Sequence, residues 1–194
     1  KHPANIRLNM EDIQDKDIEG EMIGWPTALL WTEDGRYVGF DLFRLSPGSD
    51  ASETQCVLMD ARNGSYSIAC SGTDIEGMIH ITGDGRRMIV ASVSGDRYLL
   101  NLVNMETKEL VEIGEYTGND VSVSPSGRYV AFFNEGLNVY DMDARTAVKL
   151  TEGKDDCGAV WYPDETRLFL FTGTETPGLR IPSIALTDEP GHVL

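Results

Sequence analysis

Two cysteines hold the positions in this 194-residue chain from which chemistry is most directly suggested. Cys56 and Cys70 flank Ala61-Arg62-Asn63-Gly64-Ser65, which reads as a hairpin with a three-residue loop and Gly64 at the left-handed bulge position. In that register Cys56 lies directly opposite Cys70, on a rung without hydrogen bonds, where side chains approach most closely. The alternatives are a cross-strand disulfide in an oxidising compartment and two buried apolar thiols. Cys157 has no partner in the sequence and reads as a small core residue.

Other constellations fall short of a complete catalytic or metal set. Asp15, Asp17 and Glu19 alternate before Gly20, as in the first half of an oxygen-ligated calcium loop, but the twelfth position is Pro26 where a glutamate is needed. They stand as weak calcium candidates against a solvated acidic linker. The imidazoles are His2, His80 and His192, and no Gly-x-Ser-x-Gly elbow accompanies them. His80 lies in the apolar run Met78-Ile79-His80-Ile81, an innermost strand, as a channel-wall or core histidine and a weak binding candidate. Gly83-Asp84-Gly85 lacks the glycine spacing and the following helix of a phosphate-cradling loop. Cysteines and histidines show no paired zinc spacing. No catalytic residue, cofactor or resident metal is expected, and the chain reads as a non-enzyme. Trp25, beside Pro26 and outside any repeat, is a second weak binding candidate, as an exposed anchor or a strand cap.

The elements that position these residues repeat. Thr32-Glu33-Asp34-Gly35-Arg36, Thr82-Gly83-Asp84-Gly85-Arg86, Ser124-Pro125-Ser126-Gly127-Arg128 and Tyr162-Pro163-Asp164-Glu165-Thr166-Arg167 each set a tight polar turn between apolar runs. Aligned on Gly35, Gly85, Gly127 and Glu165 they are 50, 42 and 38 residues apart, the spacing of four-stranded propeller blades. The strand after each turn is apolar on both sides, as in Tyr129-Val130-Ala131-Phe132-Phe133, so it must be covered front and back. No stretch sustains helical periodicity. The expectation is an all-β chain, one β-propeller domain over 1–194, with blades at about 27–70, 77–114, 119–152 and 157–194. Residues 1–26 supply a closing strand at 4–9 and an acidic connection. Glu165 stands where the other copies have glycine, so the fourth turn is expected to be altered or strained. Trp31 and Trp161 hold equivalent positions and read as blade-packing residues.

Composition narrows the partners. Thirty-two acidic and sixteen basic side chains give a formal charge of −16, which repels phosphate backbones, so nucleic acid is not expected. No run approaches the ~18–20 apolar residues of a membrane span, so membrane insertion is not expected either. A protein or peptide partner fits better, with a homodimer if the ring is open. A chain that starts at Lys1 suits a processed, exported protein or a piece of a longer one.

The turns and their flanks resemble the repeats of the TolB-like propellers, bacterial relatives of WD40 repeats, whose signature is an aromatic, Ser or Thr, Pro-Asp-Gly, Arg or Lys, then an apolar strand. Trp31, Asp34, Gly35 and Arg36, then Asp84, Gly85 and Arg86, carry the likeness in the first two copies. Ser124, Pro125, Gly127 and Arg128, then Trp161, Pro163, Asp164 and Arg167, carry it in the others. The resemblance implies an extracytoplasmic interaction module in a bacterium, with no catalytic residue on the repeat. It also admits the substrate-gating propeller of a prolyl-oligopeptidase-type hydrolase, or an extracytoplasmic sensor or ligand-binding domain.

Overall fold

A computed structural model describes residues 21–22, 29–45, 52–117, 120–152, 156–172 and 183–185. Among them every regular element is a strand, and the strands fall into four antiparallel sheets. The first holds β1 (Glu21–Met22), β2 (Leu29–Trp31), β3 (Tyr37–Leu45), β4 (Ser52–Asp60) and β5 (Tyr66–Gly72). The second is β6 (Ile75–Ile81), β7 (Arg87–Ser94), β8 (Arg97–Asn104) and β9 (Leu110–Tyr116). The third is β10 (Ser122–Val123), β11 (Tyr129–Phe133), β12 (Leu137–Asp141) and β13 (Thr146–Lys149), and the fourth is β14 (Asp156–Trp161), β15 (Arg167–Thr172) and β16 (Ser183–Ala185). Apart from β1, strands that are neighbours in the chain pair within each sheet, as hairpin-connected blades require.

Glu21–Met22, placed by sequence in the acidic connection, instead pairs with Leu45 and Arg44 of β3, while β2 pairs with Val38 to Phe40. Two short segments thus share one long strand. The closing strand expected at 4–9 lies outside the described residues. The chain divides into two compact units, Lys1–Val90 with Val103–Glu109, and Ala91–Leu102 with Leu110–Leu194.

In the first unit β4 buries both faces. Val57 and Met59 pack with Val38, Phe40 and Leu42, and the alternate residues Cys56 and Leu58 pack with Ile75, Met78, Ile81 and Met88. Gly39 makes the second contact possible, because a Cβ there would fall 2.3 Å from Ile81 and 2.6 Å from Met78. In the second unit Ala131, Phe133 and Val139 pack on Ala159, Trp161, Leu168 and Leu170. Strands apolar on both sides are therefore covered on both sides, as expected from their sequence. A buried hydrogen bond from the Asn101 amide to the Ser92 hydroxyl, 2.7 Å, satisfies the polar pair in that unit's core.

The recurring turn text has a physical meaning at each position. The Thr32 hydroxyl donates to Asp34 (2.7 Å) and accepts the Tyr37 N–H (2.9 Å), and Thr82 does the same with Asp84 and Arg87 (2.7 and 3.0 Å). Asp34 and Asp84 accept the N–H of Arg36 and Arg86, two residues on. The arginine then ties the first turn to the third. The carbonyls of Arg36, Arg86 and Arg128 accept the N–H of Ala61, Met105 and Met142 at 2.7 to 2.9 Å. The guanidiniums of Arg36 and Arg128 reach Asp60 (3.2 Å) and Asp141 (2.7 Å).

Glu165 keeps the backbone of the glycines it replaces, with φ +58° against +65°, +67° and +74° at Gly35, Gly85 and Gly127. The fourth turn is thus not reshaped. Its strain lies in a side-chain-bearing residue in the left-handed region, at a cost of about 1–2 kcal/mol. The side chain has its own use: the Glu165 carboxylate accepts the Ser126 N–H and, at 2.8 Å, the Ser126 hydroxyl, clasping the fourth turn to the third.

Two outcomes test this account. Glu165→Ala removes the clasp and keeps the strain, so it should lower stability by about 1 kcal/mol in urea unfolding, whereas Glu165→Gly, which also relieves the strain, should stay near wild type. Equal stability of wild type and the alanine variant would rule out the clasp. Hydrogen bonds from the Arg36 N–H and the Thr32 hydroxyl hold the Asp34 carboxyl below its usual range, and bonds from the Thr166 hydroxyl and N–H do so for Asp164. A carboxyl whose folded value is depressed contributes stability above its unfolded value of about 3.9, and that contribution is lost as pH falls through the folded value. The double variant Asp34→Asn, Asp164→Asn should therefore lose less stability than wild type between about pH 4 and pH 2, read from urea midpoints across that range.

Candidate functional site

The residues with chemical potential separate into three places. Asp15, Asp17, Glu19, Trp25, His2 and His192 lie outside the described residues. His80 sits half-buried on β6, and burial lowers its imidazole below the usual range, favouring the neutral ring. Among the described residues no three His, Cys, Asp or Glu side chains gather as a metal site would need.

Cys56 and Cys70 are brought together as the sequence suggests, by a different route. The loop is one residue longer than the three-residue reading: the Asp60 N–H donates to the Ser65 carbonyl and the Gly64 N–H to the Asp60 carbonyl, both at 2.8 Å. Met59, Leu58 and Val57 then face Tyr66, Ser67 and Ile68. A register shift between Val57 and Cys56, with Ala69 as the extra residue, restores the pairing of Cys56 with Cys70. The two one-residue displacements cancel.

The same register carries the line one strand further, since Asp41 of β3 pairs with Cys56 of β4 and Cys56 with Cys70 of β5. Asp41 is 2% exposed and accepts the Met78 N–H at 3.0 and 3.2 Å. Burial raises its carboxyl, against the Met78 N–H and a hydrogen bond from Cys56, which lower it. Cys56 is fully buried and Cys70 half-buried, both as thiols. The bond to Cys70 and then burial push the Cys56 thiol up, while the bond from Cys56 leads the effects that lower Cys70. Sequence reading missed Asp41. Its signal was a carboxylate in the middle of the apolar run Tyr37-Val38-Gly39-Phe40-Asp41-Leu42-Phe43.

The third place is the tryptophan position of the repeat. Trp161 packs as expected: its ring stacks on Tyr129 (centroids 5.6 Å apart, planes at 20°), its indole N–H donates to the Ser122 carbonyl at 3.1 Å, and it is 7% exposed. Trp31, in the equivalent position on β2, is 55% exposed, and Leu29 on the same strand face is 58% exposed. The equivalence of the two tryptophans therefore holds for their place in the strand and fails for their cover. Nearby, the Arg36 guanidinium lies 4.7 Å from the Tyr37 ring centroid, a pairing repeated by Arg128 over Tyr129 at 4.9 Å.

Among the described residues no helix is long and apolar enough to cross a membrane. No family model matches the chain, and no curated protein matches it. Solved structures do. TolB from Acinetobacter baumannii is similar over 81% of this chain and 40% of its own, with 14% identity and a TM-score of 0.59. The β-propeller domain of the Trilobed protease from Pyrococcus furiosus is similar over 88% of this chain and 58% of its own, with 10% identity and a TM-score of 0.62. The acylaminoacyl peptidase of Pyrococcus horikoshii is similar over 89% of this chain and 32% of its own, with 11% identity and a TM-score of 0.61. The chain spans less than two thirds of each of these proteins. With the four meandering sheets and their repeated turns, the likenesses identify the fold as a TolB-like β-propeller.

Proposed function

We propose that the chain is a non-catalytic module, outside the cytoplasm of a bacterium, that binds a protein or peptide partner through the β2 face carrying Leu29 and Trp31. The observation that carries this reading is the contrast between the two repeat tryptophans, one 7% and the other 55% exposed. Trp161 displays the complement such a side chain takes, an aromatic ring to stack on and a backbone carbonyl for its N–H. A protein surface offering the same two groups fits Trp31. A half-exposed tryptophan beside an exposed leucine also has the composition of an interface anchor. The charge of −16 disfavours nucleic acid and suits a partner with a neutral or basic docking surface.

A second reading draws on the peptidase likeness: a propeller that gates substrate for a hydrolase domain in the same polypeptide. Hydrolysis of acylated peptides by the full-length protein would favour it, and its absence would leave the binding module.

Site-specific photo-crosslinking tests the binding reading. A benzophenone side chain in place of Trp31, in the native host, should give one adduct of defined mass, which the same probe in place of exposed Tyr98 should not give. Leu29→Ser should abolish it, and Trp31→Ala should weaken binding of the identified partner by about thirtyfold or more. No adduct above background overturns the proposal, as does an adduct consisting of two copies of this chain.

A further inference from the structure

We infer that Cys56 and Cys70 form a reversible dithiol–disulfide couple, with Cys70 as the entering thiol, Cys56 as the resolving thiol and Asp41 as the acceptor of the Cys56 proton. This inference stands apart from the binding reading, since it concerns the rung of β3, β4 and β5 and not the face of β2.

Three features of the geometry carry it. First, the thiols are direct cross-strand partners, brought opposite each other by the register shift beside Ala69. No backbone rearrangement is needed to bring their sulfurs together, which is the usual obstacle to bridging two cysteines. Second, their burial is unequal: Cys56 is 0% exposed and Cys70 half-buried, so an external reagent meets Cys70 first and Cys56 only through it. Third, Asp41 continues the rung behind Cys56 as its direct cross-strand partner on β3, and is itself 2% exposed. A pair of inert core cysteines requires neither the asymmetry nor a buried carboxylate.

The ionisations run in the same direction. The hydrogen bond from Cys56 lowers Cys70, burial and the Asp41 and Asp74 carboxylates oppose it, and the Lys108 ammonium adds to the lowering. Cys56 is pushed up. The thiol that reagents reach is thus the one more readily ionised.

The co-reactant is a small disulfide. The Cys70 thiolate attacks one of its sulfurs, forming a mixed disulfide and expelling one thiolate. Cys56 passes its proton to Asp41 and attacks the Cys70 sulfur, expelling the second thiolate. The protein pair loses two electrons and two protons, and the small disulfide becomes two thiols. Bridging a segment this short within one sheet restricts the unfolded chain, so the oxidised form should also melt higher.

The experiment uses the whole chain carrying Cys157→Ser, equilibrated in glutathione buffers from reducing to oxidising, then acid-quenched, alkylated and digested. A single two-electron transition is expected, ending in a peptide cross-linked from Cys56 to Cys70 and a raised melting temperature. Cys56→Ser should stall with one glutathione on Cys70. Cys70→Ser should react far more slowly, because its remaining thiol is buried. Asp41→Asn should prolong the mixed disulfide about a hundredfold. Full alkylation of both cysteines in the folded protein under oxidising buffer overturns the couple. Glutathione on Cys56 in the wild-type pair overturns the order of attack, and unchanged closure in a folded Asp41→Asn overturns the role of Asp41.

Discussion

Strands with apolar side chains on both faces cannot leave either face in water, and the rest of this structure follows from satisfying that condition. β4 shows it most directly, with Val57 and Met59 in one cluster and Cys56 and Leu58 in another. At roughly 1.5–3 kcal/mol for each fully buried aliphatic side chain, exposing one face of one such strand would cost several kcal/mol, comparable with the stability of a whole domain. Sheets must therefore be laid against sheets. Close approach then sets local requirements of its own, seen at Gly39, where any Cβ would collide with Ile81 and Met78.

The turns work under that condition. A hairpin held only by its strands could pivot, but each of the three Gly-Arg turns is tied by its arginine carbonyl to the turn two strands on, and in the first and third sheets by an ion pair as well. Half-exposed ion pairs of this kind contribute about 0–1 kcal/mol each, so the backbone bonds and the buried threonines Thr32 and Thr82 fix the geometry, and the ion pairs refine it. Glu165 varies the scheme by accepting left-handed backbone strain and gaining a clasp to Ser126.

A scaffold this repetitive makes deviations informative. Trp31 differs from Trp161 in cover and not in position, and the partner-binding proposal rests on that difference. Asp41, Cys56 and Cys70 stand out in chemistry: a buried carboxylate and two thiols share one rung. Trp31 occupies a repeat position and departs from the repeat in its cover, whereas the rung of Asp41, Cys56 and Cys70 has no counterpart in the repeat, consistent with function residing in sites added to a common fold.

The sequence by itself determined the repeat, its spacing, the all-β class and the turn chemistry, because these depend on local rules: left-handed φ for glycine, carboxylate acceptors two residues before an N–H, and alternation along a strand. It also placed Cys56 opposite Cys70, although by a loop one residue too short and without the bulge that offsets it; local propensity does not specify where a strand accepts an extra residue. Only the tertiary structure decided that Glu21–Met22 joins the first sheet, that Asp41 stands behind the cysteines, and that Trp31 is open where Trp161 is covered. Each of these depends on which strand lies beside or against another, and burial is a property of that neighbour and not of the residue that is buried.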